Sequence, residues 1–147
     1  VLKATVDDIN KSVVIETPAV SKTIEDVIKQ TNANRYESPS GVAQLKANLS
    51  LIRSLAELYF DANSSYSKKT FPLGPCKKLG GTFIGEDQVF GLITSATNDV
   101  PESATCYAAK DAFAISVPLS DTGYSWCVDS TGASKQIQGA ITKNSCN

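Results

Sequence analysis

The chain contains no histidine and no methionine. Without histidine there is no Ser-His-Asp or Cys-His constellation, and no imidazole to complete a metal site. With no methionine and Val1 in first position, the chain reads as a processed mature form or a fragment. On that reading, any export signal or membrane anchor of the parent is expected upstream. No apolar run approaches the ~20 residues that cross a bilayer. An excess of basic charge is also missing: 14 Lys and Arg stand against 15 Asp and Glu, a net charge of −1. The pairs Lys68-Lys69 and Lys77-Lys78 are too short for the clustered cations that bind phosphate backbones, and read as solvated loop charges. Nucleic acid is therefore not an expected partner, and a membrane is one only through an upstream segment.

The remaining polar clusters do not assemble a site. Asp7-Asp8, Glu25-Asp26 and Glu86-Asp87 are sequence neighbours, and adjacent positions rarely face one cleft as acid and base. The stretches "GEDQ" (85–88) and "SATNDVPES" (95–103) lack the spaced acidic pattern of a calcium loop. "LGGTFIG" (79–85) is rich in glycine but has no phosphate-loop lysine. The expectation is a structural or binding protein, with no catalytic residue, metal or cofactor.

What the chain does have is an ordinary globular composition, with 41% apolar and 20% charged residues over 147 positions. That length suits one domain, or one domain with an appendage. Its four cysteines, Cys76, Cys106, Cys127 and Cys146, all fall in the C-terminal half, and no Cys-x-x-Cys pair occurs. An even number without metal-type spacing points to two disulfides and an oxidising compartment. Of the three possible pairings, order along the chain favours Cys76–Cys106 and Cys127–Cys146, each closing a modest loop. A loop of about 20 residues contributes roughly 3 kcal/mol by restricting the unfolded chain.

Residues 1–40 form an N-terminal segment of unassigned role. A β-branched run at 12–20 stops at Pro18, and a short helix is expected over 23–33, with Thr23 as N-cap and Asp26 three residues on. The polar stretch 32–41 reads as a linker. The strongest element follows at 41–67. Val42, Leu45, Leu49, Ile52, Ala56 and Tyr59 recur three and four apart, one helical stripe. Leu51, Leu55 and Leu58 form a second stripe beside it, so this helix is expected to be covered on more than one side. "DANSSYS" (61–67) ends it with residues that prefer local backbone hydrogen bonds. The Asn-x-Ser triplets at Asn48 and Asn63 read as chance matches to a glycosylation signal. Residues 70–111 read as a disulfide-closed loop region, in which "VFGLITSA" (89–96) is either a helix or a strand.

From residue 112 the period changes to two. "FAISVPL" and "YSWCVD" are joined by a turn at 120–123, and "SKQIQGA" follows a second turn at 129–132. The reading is a three-stranded antiparallel meander in which Pro118 marks an edge strand or ends its strand. In "YSWCVD", Tyr124, Trp126 and Val128 fall on one face of the strand, where the Trp should help cover the helix, with Ser125, Cys127 and Asp129 on the other and Cys127 pointing away from the helix. The fold class is α+β, a long amphipathic helix packed on a C-terminal meander, with a domain over 41–147.

Two stretches together, "LKANLSLIRSLAELYFDANSSYS" (45–67) and "YSWCVDSTGASKQI" (124–137), resemble the bacterial type IV pilins and related pseudopilins. The likeness runs over residues 42–147. It includes the aromatic-Asp-x-Asn-x-x-Tyr close of the helix at 60–66 and the Cys-Val-Asp-Ser-Thr-Gly strand at 127–132. It implies a non-catalytic, exported filament subunit at the cell surface whose partners are other pilin subunits. Val42, Leu45, Leu49, Leu51, Ile52, Leu55, Leu58 and Tyr59 would then carry helix packing and assembly. A secretion pseudopilin, or an adhesion module binding a surface ligand on the same scaffold, are the alternatives it leaves open. The chain departs from the pattern before Leu45, where the family has an apolar membrane helix and this chain has polar residues with Pro18 and Pro39.

Overall fold

The computed structural model describes residues 39–147, so the run at 12–20 and the helix expected at 23–33 lie outside the described residues. Helix α1 (Pro39–Asn63) comes first. Pro39, read as linker from sequence, instead opens the helix, where its missing N–H costs nothing. The helix stops where Ser64 takes a left-handed conformation (φ 53°) and donates its N–H to the Phe60 carbonyl at 2.6 Å. Asn63 also donates its side-chain N–H to the Tyr59 carbonyl, so the expected terminator acts through local hydrogen bonds.

Residues 70–111, expected as loop, carry most of what the sequence did not reveal. They contain β1 (Phe71–Pro75), a 3-10 turn (Phe83–Gly85), helix α2 (Asp87–Ala96), a second 3-10 turn (Pro101–Ser103) and β2 (Thr105–Ala108). The ambiguous 89–96 stretch is thus helical: Val89, Ile93 and Ala96 are buried at helical spacing. Left-handed Asn98 and Asp99 end it, residue types that tolerate that conformation. At Gly85 the chain passes so close to Leu79 that a Cβ would lie 1.9 Å from the Leu79 carbonyl oxygen, a position only glycine can hold.

Three further strands, β3 (Phe113–Pro118), β4 (Tyr124–Asp129) and β5 (Ser134–Gln138), are the expected meander. They join β1 and β2 in one five-stranded antiparallel sheet of order β1-β2-β3-β4-β5. Strand β3 is therefore central, and Pro118 ends it; the edge-strand alternative does not hold. The prolines that do lie on an edge are Pro72 and Pro75 of β1, where a missing donor leaves the β2 ladder largely intact. The β4–β5 turn closes with Gly132 at φ 90°, the left-handed position that a three-residue hairpin loop requires.

Both faces of the sheet are covered. On one, Leu45, Leu49, Ile52 and Ala56 of α1 pack with Phe83, Ile93, Phe113, Ile115, Val117 and Val128 in the main core. Phe60, Tyr66, Phe83 and Phe113 make a run of ring contacts at its centre, with centroids 4.7 to 6.1 Å apart. On the other face the C-terminal tail folds back, and Ala114, Cys127, Ile141 and Cys146 form a second small cluster. Strand β3 lies under both layers, which explains why its residues are buried through Val117 with no polar alternation.

Candidate functional site

Three surfaces and contacts could carry a function: the outer side of α1, a groove beside its C-terminal end, and the tail seat on the far face of the sheet. On α1 the two apolar stripes meet different fates. Leu45, Leu49 and Ile52 are fully buried, whereas Val42, Leu55 and Tyr59 are half-buried against the same core. The sheet and α2 both cover this helix, as the sequence implied, and Asn48 bridges to α2 by donating to the Ser95 hydroxyl at 3.4 Å. Asn48 is buried, so its glycosylation triplet is inaccessible in the fold. Leu51 and Leu58, however, remain 44% and 64% exposed. Within the chain, α2 and the sheet thus cover the second stripe only as far as half-buried Leu55.

The groove, of about 580 Å³, runs between α1 and the start of α2, over Leu55, Leu58, Tyr59, Phe83 and Val89, with Asn63, Glu86 and Gln88 on its rim. Burial, followed by the nearby Glu86 carboxylate, raises the Tyr59 phenol above its ordinary pKa. Asp87, in the first turn of α2, pairs with Lys78 at the surface. That ion pair holds the Asp87 carboxyl below its ordinary pKa. Lys78 is accordingly a paired surface charge rather than a free loop cation. Sequence reading missed the groove because one wall comes from α1 and the other from the turn and start of α2, 20 or more residues further along the chain.

The tail seat is built on β4. The alternation predicted for this strand holds at its inner positions. Val128 and half-buried Trp126 join the helix-side core, and Cys127 joins the tail cluster. Tyr124, two residues before Trp126, is 43% exposed at the strand's open end and outside the core. Lys46 of α1 sits 4.1 Å above the Trp126 ring, and Arg53 donates to the Gly132 carbonyl at 2.7 Å, fixing the helix across β4 and its turn. The disulfides are Cys76–Cys106 and Cys127–Cys146, and no free cysteine remains. The first ties edge strand β1 to β2 inside the main core; the second ties β4 to the tail.

Beside Cys127, Asp129 is 1% exposed and saturated with donors. Its Oδ1 accepts from the Thr131 N–H at 2.9 Å, the Thr131 hydroxyl at 2.6 Å and the Ala133 N–H at 3.2 Å. Its Oδ2 accepts from the Cys146 N–H at 2.7 Å. Burial alone would raise this carboxyl, but those four hydrogen bonds outweigh it and hold the pKa below the ordinary value. An Asp that opens an Asp-Ser-Thr-Gly turn is a readable signal for the local half of this arrangement. The bond to Cys146 is not readable, because it spans 17 residues.

Among the described residues no group of three or more His, Cys, Asp or Glu could hold a metal ion, and no helix is long and apolar enough to cross a membrane. What the arrangement offers is contact chemistry: an exposed apolar helix side, an apolar groove with a carboxylate rim, and a covalently pinned tail. The class these features define is an α+β domain with two disulfides, which point to an oxidising compartment, extracellular or periplasmic. No protein-family model, curated protein or solved structure matches the chain.

Proposed function

We propose that this chain is a non-catalytic structural subunit of an extracellular filament of the type IV pilus kind, assembled through packing of α1 against neighbouring subunits. The observation that carries the reading is the uneven cover of α1. Leu45, Leu49 and Ile52 are sealed in the core while Leu51 and Leu58, on the same helix, are left 44% and 64% exposed. Large exposed leucines in register on a helix suit a partner helix better than water. The resemblance of residues 42–147 to pilins supports the same reading, as do the two disulfides, which suit an exported subunit.

The test separates the two helix faces. Leu51→Asp and Leu58→Asp should fold with near-native circular dichroism, since surface substitutions generally stay within about 0.5 kcal/mol. Filaments counted by immunolabelling on the producing cells should nevertheless be lost. Leu49→Asp should not fold, because it buries an unpaired carboxylate. Normal filament numbers with both exposed-site variants, or misfolding at all three positions, would sink the proposal.

A second reading, an adhesion or ligand-binding module on the same scaffold, is favoured by the groove along Leu55, Tyr59 and Phe83, whose volume suits a small molecule or a peptide side chain. A pseudopilin of a secretion system would share the α1 packing and would be distinguished by export of a substrate rather than by surface filaments.

A further inference from the structure

We propose that Asp129 seats the C-terminal tail on the sheet before Cys127 and Cys146 are oxidised, so that the disulfide locks an arrangement already made by hydrogen bonds. The inference concerns how the domain is built, and holds whatever the domain assembles with.

The geometry has a local part and a distant part. Oδ1 of Asp129 is fully engaged within residues 129–133, by two N–H groups and one hydroxyl. These contacts form with the β4–β5 turn and need nothing from the tail. They fix the plane of the carboxylate and thereby aim Oδ2 at the place where the Cys146 N–H arrives, 2.7 Å away. Cys127 and Asp129 lie two apart on β4, so their side chains stand side by side on one face of the sheet. A tail held at the Cys146 amide therefore presents its thiol to the neighbouring Cys127. A second anchor acts five residues earlier, where the Ile141 N–H donates to the Ser116 hydroxyl at 3.1 Å in a buried setting. Ile141 itself is buried against this seat with Ala114. Two backbone amides of the tail are thus captured by two side chains of the sheet, and neither capture involves sulfur.

The covalent step then needs only an oxidant, here a low-molecular-weight disulfide such as oxidised glutathione. The Cys127 thiolate attacks it, forming a mixed disulfide and expelling one glutathione thiolate. The seated Cys146 thiolate attacks the Cys127 sulfur, the protein disulfide forms, and the second glutathione leaves. Each cysteine gives up one proton, each departing glutathione thiolate takes one, and the two electrons end on glutathione.

Two measurements test this on the full chain. Wild type and Asp129→Asn are equilibrated in glutathione redox buffers, trapped by alkylation, and both cysteine couples are quantified by mass spectrometry. In the variant an amide N–H2 or a neutral oxygen replaces Oδ2. The effective concentration of the Cys127–Cys146 couple should drop about tenfold or more. That of Cys76–Cys106 should change less than about twofold, since it lies in the other core cluster. An unchanged Cys127–Cys146 couple, or an equal fall of both couples, overturns the proposal. The second measurement keeps Asp129 and removes the sulfurs. In the double variant Cys127→Ala, Cys146→Ala, the amides of residues 141 and 146 should stay protected from hydrogen exchange. Exchange of both at the rate of an unfolded peptide overturns the proposal as well.

Discussion

Asp129 and Tyr66 lie on opposite sides of the sheet and contribute pH dependences of opposite sign. Asp129 has its pKa held low, so it contributes stability above the unfolded carboxylate value of about 3.9 that is lost as pH falls through the lower native value. The Tyr66 phenol is pushed up to about 12, by burial first, then by its hydrogen bond to Glu57 and the charges of Glu57 and Asp61. Its contribution has the opposite sign: fully present below the ordinary tyrosine value of 10.0, and lost as pH rises from there to about 12. Denaturant unfolding followed from pH 2 to 12 should show both limbs. Asp129→Asn should flatten the acid limb alone, and Tyr66→Phe the alkaline limb alone. An acid limb unchanged by Asp129→Asn would remove the buried carboxylate from this account.

Among the elements, α1 shows how periodicity and packing divide the work. The sequence pattern names nine apolar positions on the helix, leaving out Phe60, but not which of them a neighbour reaches, and two adjacent stripes of similar composition end with different burial. Helix α2 shows the converse, since an eight-residue apolar run carries no decisive period and became a helix through burial of Val89, Ile93 and Ala96. The end of α1 provides a test of local strain. Ser64 holds a left-handed conformation that disfavours a side chain by roughly 1 kcal/mol. Ser64→Gly should therefore raise stability by up to about that amount, less whatever is lost to the greater freedom of the unfolded glycine. Thermal melting of the variant reads the result directly, and a lower Tm would show that the serine side chain contributes more than its strain costs.

At the scale of the molecule, the two disulfides serve separate parts of one sheet. Cys76–Cys106 lies in the main core, directly after β1, and closes a span of 30 residues that includes α2; Cys127–Cys146 closes 19 and pins the tail. Loop entropy alone assigns each about 3 to 4 kcal/mol, nearly the same for both. They should nonetheless differ in effect, because the tail keeps its anchors at Asp129 and Ser116 when its sulfurs are removed. Proline-bearing β1 has its short ladder to β2, one backbone bond from the Cys76 N–H to the Ala104 carbonyl, and Phe71 as its one buried side chain. The variant Cys76→Ala, Cys106→Ala should accordingly lose more unfolding free energy in denaturant titration than Cys127→Ala, Cys146→Ala. Equal losses would mean that loop entropy is the whole effect.

Read by itself, the chain determined its local and covalent features. The long helix, the meander and its two turns, the cysteine pairing and the opposite facing of Trp126 and Cys127 follow from periods, turn residues and order. These depend on neighbours within a few residues or on a small set of combinations. Only the tertiary structure decided the rest. It placed two strands in the expected loop at 70–111, because they are defined by partners across the sheet rather than by their own pattern, and it decided 89–96 for a helix. It left Leu51 and Leu58 uncovered while burying Leu49, a matter of which side of α1 the sheet and α2 reach. It also drew Asp129 from a turn residue into the anchor of a tail 17 residues away, a contact that exists only once the chain has folded back across the sheet.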